Sequence, residues 1–219
     1  MSAVPISPRL VKGGLILIDP ASSTVQRVIT LQYNPDTLTR TLQTQSFSAG
    51  SEGGNRAEAL RLKGPPIETI KLDAEIDATD QMEAGDSQTA QTGIHAQLAA
   101  LETIVYPSAD QLDANNALSR SGTLEIVPME ASLTLFVWSK TRILPVRITD
   151  FSITEEAFDP QLNPIRAKVS LSLRVLSVDD LGFDTRGGSL FMIYQRQKEQ
   201  LARQNRTGGL SALGIGALP

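Results

Sequence analysis

Apolar and polar side chains alternate most regularly in the stretch from Arg147 to Val178. Ala167, Val169, Leu171, Leu173 and Val175 alternate with Arg166, Lys168, Ser170, Ser172 and Arg174. A period of two over that length puts all five apolar side chains on one face of a strand. Upstream, Val146, Ile148, Phe151 and Ile153 form a second apolar set, and strict alternation breaks at Asp150. Between the two runs lies Phe158-Asp159-Pro160-Gln161-Leu162-Asn163-Pro164. Its two prolines fix φ, lack an N–H and steer the residues before them away from helix. The pattern predicts one long β-hairpin with a stiff tip.

Other segments supply further strands. Leu15 to Ile18 is a continuous apolar run, as in a strand buried on both faces or one covered by a neighbouring subunit. Val25 to Leu31 reads as a strand that stops or becomes an edge at Tyr33-Asn34-Pro35, because Pro35 has no ladder donor. Leu38 to Phe47 continues as a weakly patterned strand. Ile67 to Ala78 alternates Ile70, Leu72, Ala74 and Ile76 with Lys71, Asp73, Glu75 and Asp77, the mark of a half-solvated strand. Strands also follow at Thr123–Val127 and at Ser132–Trp138. Ile94, Leu98, Leu101 and Val105 recur at helical spacing and predict an amphipathic helix from Ile94 to Val105. The polar stretches Thr79–Thr92 and Asp110–Arg120 read as loop and connector. After Val178 the chain reads as a linker from Asp179 to Gly188, then a helix from Leu190 to about Asn205 capped by Ser189, then a small-residue tail. The domain division is 1–178 for the strand-rich unit and 179–219 for the extension.

Composition narrows the function. The chain has 219 residues and a formal charge of −4, which argues against a general nucleic-acid binder. It has no cysteine, so disulfides, thiolate metal sites and a cysteine nucleophile are excluded. No run is apolar for the ~18 residues a membrane helix needs, so no direct membrane insertion is expected. The single histidine, His95, falls one position off the apolar stripe and reads as a surface or packing residue. The acids from Asp73 to Asp86 alternate with apolar residues as in any half-buried strand, and Gly85 comes too late for a calcium loop. No metal, cofactor or catalytic residue is expected. The basic residues Arg196, Lys198, Arg203 and Arg206 suit a partner-docking or solvated helix.

Four segments together resemble the tube-domain family of contractile injection systems and phage tails, in particular the baseplate tube adaptors that often carry a LysM module. They are Leu31-Gln32-Tyr33-Asn34-Pro35-Asp36-Thr37-Leu38, the strand from Ile70 to Asp77, the run from Leu133 to Trp138, and Phe151 to Asp159 leading into Asn163 to Val169. The resemblance covers residues 12–178. It implies a mainly β, α+β fold: a tail-tube-like β-barrel or sandwich with one flanking helix and a C-terminal helical extension. It implies a structural protein without catalysis, a homo-oligomeric six-fold ring joining the inner tube protein to the spike protein among other baseplate components. Assembly in the bacterial cytoplasm is implied too. No LysM match follows Val178. The residues assigned to the assembly interface are Tyr33, Asn34, Pro35, Phe151, Phe158, Asp159, Pro160, Asn163, Pro164 and Arg166. The alternatives are a glycan- or effector-binding module of the same particle, or a subunit of the inner tube or its cap.

Overall fold

The computed structural model describes residues 10–45, 61–120, 131–204 and 210–217. Seven strands form one antiparallel sheet: β1 (Gly14–Ile18), β2 (Val25–Thr30), β3 (Leu38–Gln43), β4 (Ile67–Asp77), β5 (Leu133–Ser139), β6 (Arg142–Phe158) and β7 (Pro164–Val175), in the spatial order β2-β1-β5-β6-β7-β4-β3. Among the described residues, six α-helices accompany it: α1 (Thr79–Glu83), α2 (Ser87–Thr92), α3 (His95–Glu102), α4 (Ala109–Arg120), α5 (Val178–Leu181) and α6 (Arg186–Gln204). The fold is mainly β with α+β character, as expected. The sheet is not closed, since β2 and β3 end it as separate edges, and the helices number more than the single flanking one expected.

The predicted hairpin is the spine. β6 pairs with β5 through Arg142–Val146 on one edge and with β7 through Val146–Phe158 on the other. One strand therefore serves two ladders that meet near Val146. The break in alternation at Asp150 is a β-bulge: the register shifts between Ile148 and Asp150, and the Thr149 hydroxyl donates to the Ser172 carbonyl at 3.1 Å. An extra residue moves the apolar parity from Val146 and Ile148 to Phe151 and Ile153, which keeps all four on one face.

Cross-strand register then builds one continuous apolar face. Ile70 stands opposite Leu173, Leu72 opposite Leu171, Phe151 opposite Leu171 and Leu15 opposite Phe136. Ile70, Leu173 and Phe136 are fully buried. Each such side chain contributes about 1.5–3 kcal/mol relative to exposure. Ile94, Leu98 and Leu101 of the α3 region join the same core. α3 is shorter than predicted. The Ile94 N–H donates to the Pro164 carbonyl at 2.9 Å, so the hairpin rather than a side chain satisfies the helix entry.

Several connectors expected as loops are helical. In Thr79–Thr92, the Asp86 carboxylate accepts from the N–H groups of Gln88 and Thr89 and starts α2. At the start of α4, the Ser108 hydroxyl accepts from Gln111 N–H while the side-chain Oε1 of Gln111 accepts from Ser108 N–H, a capping box. α4 buries no side chain, which is why no apolar stripe marks it. The expected linker holds α5 and the first turn of α6. Thr185, not Ser189, caps α6, its hydroxyl accepting from Gly188 N–H at 3.0 Å. A Cβ on Gly188 would strike the Gly182 carbonyl, so the helix entry requires a glycine there. The third strand ends at Gln43 rather than Phe47. The expected strand Thr123–Val127 lies outside the described residues.

Candidate assembly surface

The hairpin tip is held by its own chain. Asp159 Oδ1 accepts from the N–H groups of Gln161 and Asn163, both at 2.8 Å, and Asp159 Oδ2 accepts from Asn163 Nδ2 at 2.8 Å. The Asn163 side chain, with these backbone bonds, holds the Asp159 carboxyl below the usual carboxylate range. Asn163 Nδ2 also donates to the Gln91 carbonyl, and a Cβ on Gly93 would run into the Pro164 carbonyl oxygen. The tip is thus docked on α2 and the entry of α3. Ala157 and Leu162 hold φ of 51° and 66°. Such values are uncommon outside glycine and are strained for a bulky residue. Phe158 is 50% exposed and Leu162 77% exposed, while Pro164 is buried. Two apolar side chains are therefore presented outward on a braced loop.

Tyr33, Asn34 and Pro35 lie at the same end of the molecule. Asn34 clamps the chain ahead of β1: its Oδ1 accepts from Gly13 N–H at 2.8 Å and its Nδ2 donates to the Val11 carbonyl at 2.9 Å. Next to it, the Gln32 amide bonds both the N–H and the carbonyl of Asp77, at 2.9 and 2.6 Å. Asp77 in turn accepts from Arg166 Nε at 2.9 Å. Thr79 and Arg166 hold the Asp77 carboxyl below its ordinary range, Thr79 contributing most. Two acids of β4 have cross-strand partners on β7: Asp73 accepts from the Ser170 hydroxyl and Asp77 pairs with Arg166. Among the described residues no group of three or more metal-ligating side chains forms. Nine of the ten assigned interface residues gather at this end. Phe151 does not. It lies mid-strand on β6, half-buried, on the helix-covered face.

Gln32, Gly93 and two strand edges went unassigned in the sequence. The edges follow from the ladder. Asp77 N–H points to Gln32, and Ala78 N–H donates to the Ile165 carbonyl on the opposite side. Alternation then gives the even-numbered residues of β4 to β7. The register passes this on: Ser170, Lys168 and Arg166 of β7 bond Ser152, Thr154 and Glu156 of β6. Phe151, Ile153 and Glu155 aim their N–H and C=O groups at an edge where the β5 ladder has already ended. Leu38, Arg40 and Leu42 do the same on the outer side of β3. Among the described residues, the layer β6-β7-β4-β3 thus carries an open strand edge on each side.

α6 braces the β3 side. Arg40 Nε donates to Glu68 Oε1 at 2.7 Å, and Arg40 Nη2 donates to the Tyr194 hydroxyl at 3.2 Å. Glu68 is buried at 3% exposure. Lys198 Nζ stands 4.6 Å from the Tyr194 ring centroid. Its burial pushes the ammonium below the ordinary lysine range, partly offset by Glu68.

A family model described as contractile injection system tube protein matches residues 17–181. The chain belongs to that family. Membership makes it a structural, tube-type component of a contractile injection system, a class that assembles as oligomers with other tail components. The match takes in all of the sheet from β2 onward, only Leu17 and Ile18 of β1, and α1 to α5; α6 lies beyond it. No curated protein matches the chain. Among the described residues, no helix is long and apolar enough to cross a membrane.

Proposed function

We propose that this tube protein is a non-catalytic baseplate adaptor whose copies close into a six-fold ring between the inner tube and the spike. The observation that carries the ring is the pair of open edges on the layer β6-β7-β4-β3. β3 of one copy lies along β6 of the next, so that Leu38, Arg40 and Leu42 meet the outward groups of Phe151, Ile153 and Glu155. Unpaired edges template pairing with another chain, and a repeated head-to-tail contact whose rotation closes makes a ring. The braced tip, with Phe158 and Leu162 exposed, suits contact with the next ring.

Leu42→Pro tests the reading. It deletes one outward N–H and leaves the β3–β4 ladder its donors. Native mass spectrometry and electron microscopy are expected to show rings for the unaltered chain and a folded monomer for the variant. Unchanged rings from the variant would overturn the proposal. The family description favours a second reading, a subunit of the inner tube itself. Stoichiometry separates the two: an adaptor occupies one ring per particle, a tube subunit many.

A further inference from the structure

α6 crosses the helix-covered side of the sheet and runs past its edge. Its start lies beside β5 and β6: Arg186 and Gly187 line one cavity with Leu133, Val146 and Arg147. Seven residues on, about 10 Å along the helix, Tyr194 reaches Arg40 on β3. From there the helix continues through Gln204 for ten more residues, about 15 Å. None of these ten is buried, and Glu199 to Gln204 are all exposed. Leu201 is 59% exposed. Helical turns gain most of their stability from packing an apolar face, which Glu199 to Gln204 lack among the described residues.

On the other side of the layer, along the open edge of β6, lies a cavity of about 500 Å³ lined by Glu102, Val105, Tyr106, Asp150, Phe151 and Ile153 among others. It opens on the same helix-covered side. Its walls are largely apolar and it carries two carboxylates. The distal half of α6 offers one exposed leucine with Lys198 one turn before it on the same face.

We propose that the distal half of α6 docks into this cavity of the neighbouring copy, Leu201 entering it and the Lys198 charge, one turn back on the same helix face, turned toward Glu102 and Asp150. The inference rests on the ring reading: when β3 of one copy lies along β6 of the next, the overhang and the cavity fall on the same side of the same junction. It adds a contact made by an element outside the matched family region. The ring would be fastened twice, by backbone pairing and by a helix that reaches across the seam.

The absence of cysteine makes the test direct. L201C and V105C are introduced together and the assembled protein is oxidised. Within one chain the pair cannot join. Gly187 borders Val105's part of the cavity system, and Leu201 lies fourteen residues, about 21 Å, further along α6. A disulfide needs Cα atoms within about 7 Å. A ladder of covalent multimers is expected from the double variant and none from either single variant. Rings seen by electron microscopy without cross-links would overturn the helix contact and leave the ring standing. Neither rings nor cross-links would overturn both. As a second readout, Leu201→Asp is expected to weaken ring association roughly tenfold with unchanged monomer stability. Association equal to that of the unaltered ring would also overturn the proposal.

Discussion

The two ladders that meet at β6 use similar residues to opposite ends. From β3 to the second part of β6, apolar side chains fill one face, while Lys71, Asp73, Glu75, Lys168, Ser170 and Thr154 keep the other in solvent. In β1 and β5 the apolar residues serve both faces. Leu15 and Phe136 enter the main core, while Ile18 and Leu135 form a second cluster with Leu190 of α6. The first ladder is a wall, with one wet face and open edges. The second is an anchor, buried on both faces. Under the proposed ring, the wall keeps a solvated face before assembly and the anchor holds the subunit in shape.

Predictions that probe this contrast run from large to small. Phe136→Ala, in the anchor, is expected to cost about 3–5 kcal/mol in denaturant unfolding, whereas Lys71→Ala on the wet face of the wall stays within about 0.5 kcal/mol. Equal losses would erase the distinction. Arg40→Ala leaves Glu68 buried without its cation. With Arg40 itself a quarter exposed, a loss of about 2 kcal/mol is expected in the same assay, together with loosening of α6. Gly93→Ala forces a side chain into positive φ against the Pro164 carbonyl. It is expected to cost about 1–2 kcal/mol and to speed hydrogen exchange at the Ile94 amide, while β1 and β5 stay protected.

The smallest effect concerns acid. The Asp159 carboxyl is depressed in the folded chain, so its stabilising contribution is present above the unfolded value near pH ~4 and fades as pH falls through the folded value. Asp159→Asn should flatten the acid limb of a stability profile without altering stability near neutrality beyond the lost bond. A profile of unchanged steepness would show that the tip does not sense acid.

Much of the wall was legible because burial on one face writes a period of two into the sequence. Even the bulge left its mark, as the broken alternation at Asp150. The helices α2 and α4 were not legible from periodicity, because they bury almost nothing. Their signals were caps, Asp86 in one case and Ser108 with Gln111 in the other, and a cap without an apolar stripe is easily passed over. The two prolines mark the tip as stiff in the sequence, but they are only part of the reason. Bonds from Asn163 to Gln91 and from Ile94 to Pro164 join residues about 70 positions apart and impose no local pattern. The open edges were hidden for a related reason. Which strands are neighbours is settled by topology, and alternation reads the same on an edge strand as on a central one.

One consequence concerns arithmetic. The wall has four strands, an even number, each antiparallel to its neighbour, so β3 and β6 point in opposite directions. Identical copies laid side by side in one orientation therefore meet with the same polarity rule that holds within each copy. An odd number would have forced one parallel seam per subunit. Strand polarity thus permits any number of copies, and the stoichiometry of a ring must come from the turn each copy makes relative to the last. That makes the shape of the seam, rather than the chemistry of its hydrogen bonds, the quantity that counts subunits.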